Sequence, residues 1–164
     1  IENVTDILVK YNIPCLFFIP TSFIDNDRSD EGDIFFGNKK IGIRFLDWND
    51  CKEISNNKLF QFGSHSVNHQ ILSKLSYNEC YNEIYNSKKI IEKKLNLKCN
   101  HFAPPVGIFS RRRDIKIVRN LNYKSLSTTQ RGMMNNTFKD HYLIKRHHLL
   151  GNWNINYLKY FFNK

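Results

Sequence analysis

The chain is predicted to be an α/β protein built on a parallel sheet, and three observations carry that prediction. A continuous apolar run, Ile13-Pro14-Cys15-Leu16-Phe17-Phe18-Ile19, is too short for a helix and rich in aromatic residues. A capping box, Ser76-x-x-Glu79, opens a long stretch with Cys80, Ile84, Ile91 and Leu95 at helical spacing. Strand-like and helix-like segments then alternate, with a unit about every 35–40 residues. Such alternation means parallel strands joined by helical crossovers, with the chemistry at the carboxyl ends of the strands. Periodicity does not separate a closed barrel from an open sheet.

Taken in order, residues 1–11 place Val4, Ile7, Leu8 and Tyr11 on one helical stripe. The 13–19 run follows as a strand buried on both faces. Residues 25–43, with three glycines and five acidic residues, make a long loop. Asp47 caps a helix through Trp48, Cys51 and Ile54. Residues 59–64 form the next strand. In the long helix after Ser76, Lys88, Lys89, Lys93 and Lys94 are expected to face water or the rim. A strand follows at 100–104, then a helix from Ser110 to Leu121 with Ile115, Val118 and Leu121 inward. Residues 123–127 and 142–149 read as two more strands, and Asn154 caps a terminal helix bearing Leu158, Phe161 and Phe162.

At 164 residues, 41% hydrophobic and 14% aromatic, the chain suits one domain over 1–164 and is not disordered. No apolar stretch approaches a membrane span. The net charge of +10 is uneven: residues 1–63 carry 7 basic and 10 acidic side chains, residues 64–164 carry 18 and 5. The one dense cluster is Arg111-Arg112-Arg113. Basic and aromatic residues do not interleave as a single-strand binder needs, so no nucleic-acid partner is expected. Cys15, Cys51, Cys80 and Cys99 are too widely spaced for a C-x-x-C motif. Cys15 and Cys80 read as buried thiols, with two disulfides left open.

The residues that carry chemistry cluster at two strand ends. In Gly63-Ser64-His65-Ser66-Val67-Asn68-His69, two histidines four apart project together if the chain turns helical directly after the strand. Two neutral imidazoles so placed can share a divalent cation at about 2.0–2.1 Å. The same spacing also arises by chance in a chain with six histidines. Phe102-Ala103-Pro104-Pro105-Val106-Gly107 combines a backbone fixed by two prolines with a glycine that permits close approach. Alone, it is a rigid turn.

Together the two segments resemble the polysaccharide deacetylase (NodB-homology) family. Leu59 to Leu75 is similar to the family's second motif and its helical exit, and Phe102 to Gly107 to its third. Tyr11 to Thr21 is similar to its second strand, and Ser125 to Thr129 to a later one. The resemblance implies a distorted, incomplete (β/α) TIM-like barrel. It also implies metal-dependent removal of N- or O-linked acetyl groups from a bacterial surface polysaccharide or sugar intermediate. By that resemblance His65 and His69 are metal ligands, for zinc or else cobalt or nickel. Ser66 braces the loop between them, and the Val106 N–H helps hold the tetrahedral oxyanion. Pro104, Pro105, Gly107 and Arg146 contact the acetylated carbohydrate. A late histidine supplies the general acid, His147 or His148. Strand alternation favours His148, because Tyr142, Ile144 and Arg146 share its side.

Three departures from the family pattern accompany this reading. The family's first motif, an Asp pair giving the general base and a third metal ligand, would lie upstream of Ile1. The sequence is therefore expected to be a fragment lacking its first strand, impaired as it stands. Ala103 occupies a position that is often Arg, and the Asp-x-Trp pattern of the fourth motif is not recognisable. The competing reading is a non-catalytic barrel that grips an anionic glycan through Arg111 to Arg113, Arg131, Lys145 and Arg146. Oligomeric state is left open, and so is the compartment, cytoplasm or bacterial cell envelope.

Overall fold

A computed structural model describes residues 2–24, 46–132, 141–149 and 153–162. Nine regular elements alternate along these residues: α1 (Glu2–Lys10), β1 (Cys15–Ile19), α2 (Trp48–Ser55), β2 (Phe60–Ser64), α3 (Tyr77–Leu95), β3 (His101–Phe102), α4 (Arg111–Asn120), β4 (Ser125–Leu126) and α5 (Ile155–Phe162). The four strands pair in parallel in the order β1-β2-β3-β4. The register sets Ile19 beside Ser64, Ser64 beside Phe102, and Phe102 beside Leu126. All four strands therefore end at one level, and the loops that follow share one face. The predicted parallel α/β architecture is observed, consistent with a distorted barrel.

The helices begin where local chemistry dictates. Asp47 accepts from the N–H groups of Asn49 and Asp50, and Asp50 answers to the Asp47 N–H, a second capping box. Ser76 and Glu79 form the expected one. Ser110 caps α4, and the Asn154 side chain accepts from the Tyr157 N–H ahead of α5. On α3 the stripe Cys80, Ile84, Ile91 and Leu95 is buried with Phe62, Phe102 and Leu126 of the sheet and with Tyr123 just ahead of β4. Gly63 has no room for a side chain. A Cβ there would stand 2.7 Å from the Phe18 ring and 2.9 Å from the His101 carbonyl oxygen.

Several expectations are corrected. β1 is half-buried except at Ile19, because it is the outermost strand of the described sheet. The α1 stripe is not packed: Val4, Ile7 and Tyr11 are exposed. Lys88 is not solvent-facing, since its ammonium donates to the Cys99 carbonyl and lies 4.3 Å from the Tyr123 ring centroid. On α4 the expectation holds: Val118 is buried and Ile115 and Leu121 pack half-buried against the core, joined by the buried Asp114 and Ile117. The segment 142–149 is not a strand, for only Ile144 bridges the sheet, at Ser127. Cys51, Cys80 and Cys99 are buried, Cys15 is half-buried, and all four are free thiols. The loop 25–43 and the side chains of Phe161 and Phe162 lie outside the described residues.

Candidate active site

His65 and His69 converge at the end of β2, their Nε2 atoms 3.2 Å apart. No helix brings them together. Residues 65–71 are irregular, and Ser66 (φ 68°) and His69 (φ 56°) both adopt the left-handed conformation. Each such non-glycine residue costs about 1–2 kcal/mol, so surrounding contacts must hold it. The Ser66 hydroxyl accepts from the His69 N–H at 3.1 Å, the bracing expected of it. The 20–23 turn is stitched on as Thr21 and Ser22 donate to the carbonyls of Ser66 and Val67. The buried Glu83 of α3 accepts from the N–H groups of Val67 and Asn68 and from the Asn68 side-chain amide.

The electrostatics favour a lone pair on His65 Nε2. Its Nδ1 lies 2.7 Å from the Ala103 carbonyl oxygen, which can only accept, so Nδ1 carries the hydrogen. Burial pushes the imidazole's pKa down to about 4, against the opposing Ala103 hydrogen bond and with help from His69 and Arg146. His65 is thus neutral at ordinary pH. Two nitrogens bound to one tetrahedral ion at about 2.0–2.1 Å stand roughly 3.3–3.4 Å apart, so the pair fits two positions around a cation. Among the described residues no three His, Cys, Asp or Glu side chains group to complete a site.

The second element is the turn after β3. Pro104 and Pro105 are buried, while Val106 is 56% exposed in the left-handed conformation (φ 58°). Gly107 (φ 76°) abuts the next loop: a Cβ there would meet the Thr129 hydroxyl at 2.2 Å. The Gly107 and Ile108 N–H groups close the turn onto Pro104 and Pro105, and the Val106 N–H has no acceptor among the described residues.

The late residues are only partly brought together with the histidine pair. Arg146 donates from Nε to the Thr128 carbonyl at 2.9 Å and lies 5.3 Å from the Phe18 ring centroid. With His147, His148, Thr128, Thr129 and Arg131 it lines an open depression of about 410 Å³. His147 and His148 are both exposed, and neither lies in a strand. The alternation that favoured His148 therefore does not apply. Arg113 is not a groove residue either. It forks onto the carbonyls of Leu72 and Leu75 and pairs with the buried Asp114 at 2.6 Å. A larger cavity of about 480 Å³, lined by Asp6, Asp50, Glu53 and Phe60 among others, holds none of these residues.

The family model for polysaccharide deacetylases matches residues 1–126, most of the chain. The chain is a member of the polysaccharide deacetylase family. No curated protein matches it closely. Solved structures agree on the fold. A Streptococcus pyogenes deacetylase, PplD, in complex with acetate is 24% identical, with a TM-score of 0.75 over 96% of this chain and 62% of that one. IcaB from Ammonifex degensii is 20% identical, with a TM-score of 0.71 over 92% and 63%. A CE4 family pseudoenzyme from Bacillus anthracis is 22% identical, with a TM-score of 0.55 over 76% and 37%. This polysaccharide deacetylase chain thus spans just over three-fifths of PplD and IcaB.

Glu83 and Asp114 are the polar residues that sequence reasoning missed. Both sit on helices among polar residues, Asn82 beside Glu83 and Arg111 to Arg113 before Asp114, where a carboxylate reads as solvent-facing. No helix among the described residues is long and apolar enough to cross a membrane.

Proposed function

We propose that this chain is the histidine-bearing part of a metal-dependent hydrolase. It would remove N- or O-linked acetyl groups from a bacterial cell-surface polysaccharide or sugar intermediate. The carrying observation is the His65–His69 pair, 3.2 Å apart, with the His65 tautomer fixed through Ala103. In this reading His65 and His69 hold a divalent cation, zinc or else cobalt or nickel. Such a cation supplies Lewis-acid polarisation of the acetyl carbonyl and a lowered pKa for the attacking water. The Val106 N–H donates to the oxyanion as it develops, and its strained backbone keeps that donor in place before substrate arrives. Pro104, Pro105 and Gly107 wall the acetyl group. One of His147 and His148 protonates the leaving nitrogen or oxygen.

A second reading has a specific observation behind it. Among the described residues, the two histidines are one ligand short of the three that catalytic zinc usually keeps. A family member without a third ligand would hold glycan without turning it over. The test is acetate release from N-acetylated chito-oligosaccharide with added zinc. It uses the chain as it stands and a longer one that supplies an Asp pair ahead of α1. Release by the longer chain, lost in His65→Ala, supports the hydrolase. No release from either, with glycan binding intact, supports the binding module.

A further inference from the structure

The depression after β4 has a chemistry that acetyl removal does not require. Its lining residues are Thr128, Thr129, Arg131, Arg146, His147 and His148, with no carboxylate and no Phe, Tyr or Trp among them. Sites for neutral ligands are mostly apolar and aromatic; this one is cationic and hydroxylated. Ion pairs among the described residues include those of Lys88 and Lys89 with Glu92 and of Arg113 with Asp114. Neither Arg131 nor Arg146 is neutralised by a carboxylate among the described residues.

Arg146 is also held in advance. Its backbone N–H donates to the Gln130 carbonyl, its Nε–H to the Thr128 carbonyl, and its guanidinium lies over Phe18. Those contacts use Nε and leave the two terminal nitrogens, the fork that grips a carboxylate or phosphate. The ordering cost of that side chain is already met by the fold. The depression borders the acetyl site, since Thr129 packs on Gly107 and the Arg146 charge is felt at His65.

We propose that this depression is a subsite for an oxyanion, a carboxylate or phosphate carried by the acetylated glycan on the same sugar or its neighbour. The deacetylase reading supplies only the placement of that anion relative to the acetyl group. Arg146 provides the fixed fork and Arg131 a second positive charge at the rim. A neutral glycan would leave both cations desolvated against nothing, so the pocket discriminates by charge.

Calorimetric titration of the full chain tests this. The probes are a tetrasaccharide of alternating N-acetylglucosamine and glucuronate, its carboxyl-reduced neutral form, and a phosphorylated counterpart. The better anionic probe should bind about tenfold tighter than the neutral one, the gain expected from one charge-assisted pair. Whichever anion wins names the source. The advantage should shrink between about 50 and about 500 mM NaCl and vanish in Arg146→Gln. It should weaken in Arg131→Gln, an exposed substitution that leaves the fold intact. It should persist in His65→Ala/His69→Ala, which separates this proposal from the deacetylase reading. Equal affinity for all three probes, or an advantage untouched by both arginine variants, would overturn it.

Discussion

Glu83 and Asn68 make a two-pronged contact. The carboxylate takes the Asn68 N–H at 2.8 Å on one oxygen and the Asn68 side-chain amide at 2.7 Å on the other. The first oxygen also takes the Val67 N–H at 3.0 Å. A buried carboxylate from the second turn of α3 thus holds two of the three residues between the site histidines. Glu83→Ala should strand these donors and cost about 2–4 kcal/mol, taking about 1–3 kcal/mol for each poorly satisfied buried group. Glu83→Gln keeps one acceptor oxygen and should cost about half as much. Urea unfolding of the two variants checks the order. Equal stability of Glu83→Ala and the parent would mean that the loop is held by other contacts.

The 104–107 turn stores strain in a direction that two substitutions can read. Val106, a β-branched residue at φ 58°, should gain about 1 kcal/mol on Val106→Gly. Gly107→Ala should lose at least that much, because the new Cβ would meet Thr129 atoms at 2.2 and 2.4 Å. Thermal unfolding of both variants should therefore move in opposite directions.

His65 makes the metal-free fold sensitive to acid. Its pKa is about 4 in the fold against an ordinary 6.5, so between those values the unfolded chain takes up a proton that the folded chain refuses. Stability then rises with pH through that window and is lost as pH falls, by on the order of 3 kcal/mol in total. Burial of His101, aided by the positive charges of Lys124 and Lys88, shifts it in the same direction. Urea midpoints at about pH 7.5 and about pH 5, with chelator present, should differ accordingly. His65→Gln should flatten the slope.

The thiols should sort by burial. Burial and the Asp114 carboxylate push Cys80 up to about 12, and burial pushes Cys99 up to about 11. Cys15 is the half-buried one. A disulfide reagent at about pH 8 should label Cys15 ahead of the other three, which should react only on unfolding. Rapid labelling of all four would contradict the described packing.

Much of this was legible in the residues. The capping residues Asp47, Ser76 and Asn154 act locally, so sequence alone locates them, and it also places the start of α4 at Ser110. The apolar stripe of α3 repeats at the period that buries it. The histidine pair was legible, but the way it forms was not. H-x-x-x-H suggests a helix, whereas left-handed Ser66 and His69 close the loop because Glu83, far along the chain, supplies acceptors for its N–H groups. Likewise 142–149 has strand-like alternation but bridges the described sheet only at Ile144. Alternation describes a side-chain pattern; hydrogen-bonded neighbours decide whether a strand exists.

The central claim is that His65 and His69 act as one cation site. Elemental analysis of the purified chain, after dialysis against zinc and then against metal-free buffer, tests it most directly. About one zinc per chain, absent from His65→Ala/His69→Ala, is the predicted result. A zinc content that is the same in both proteins, or negligible in the parent, would contradict it.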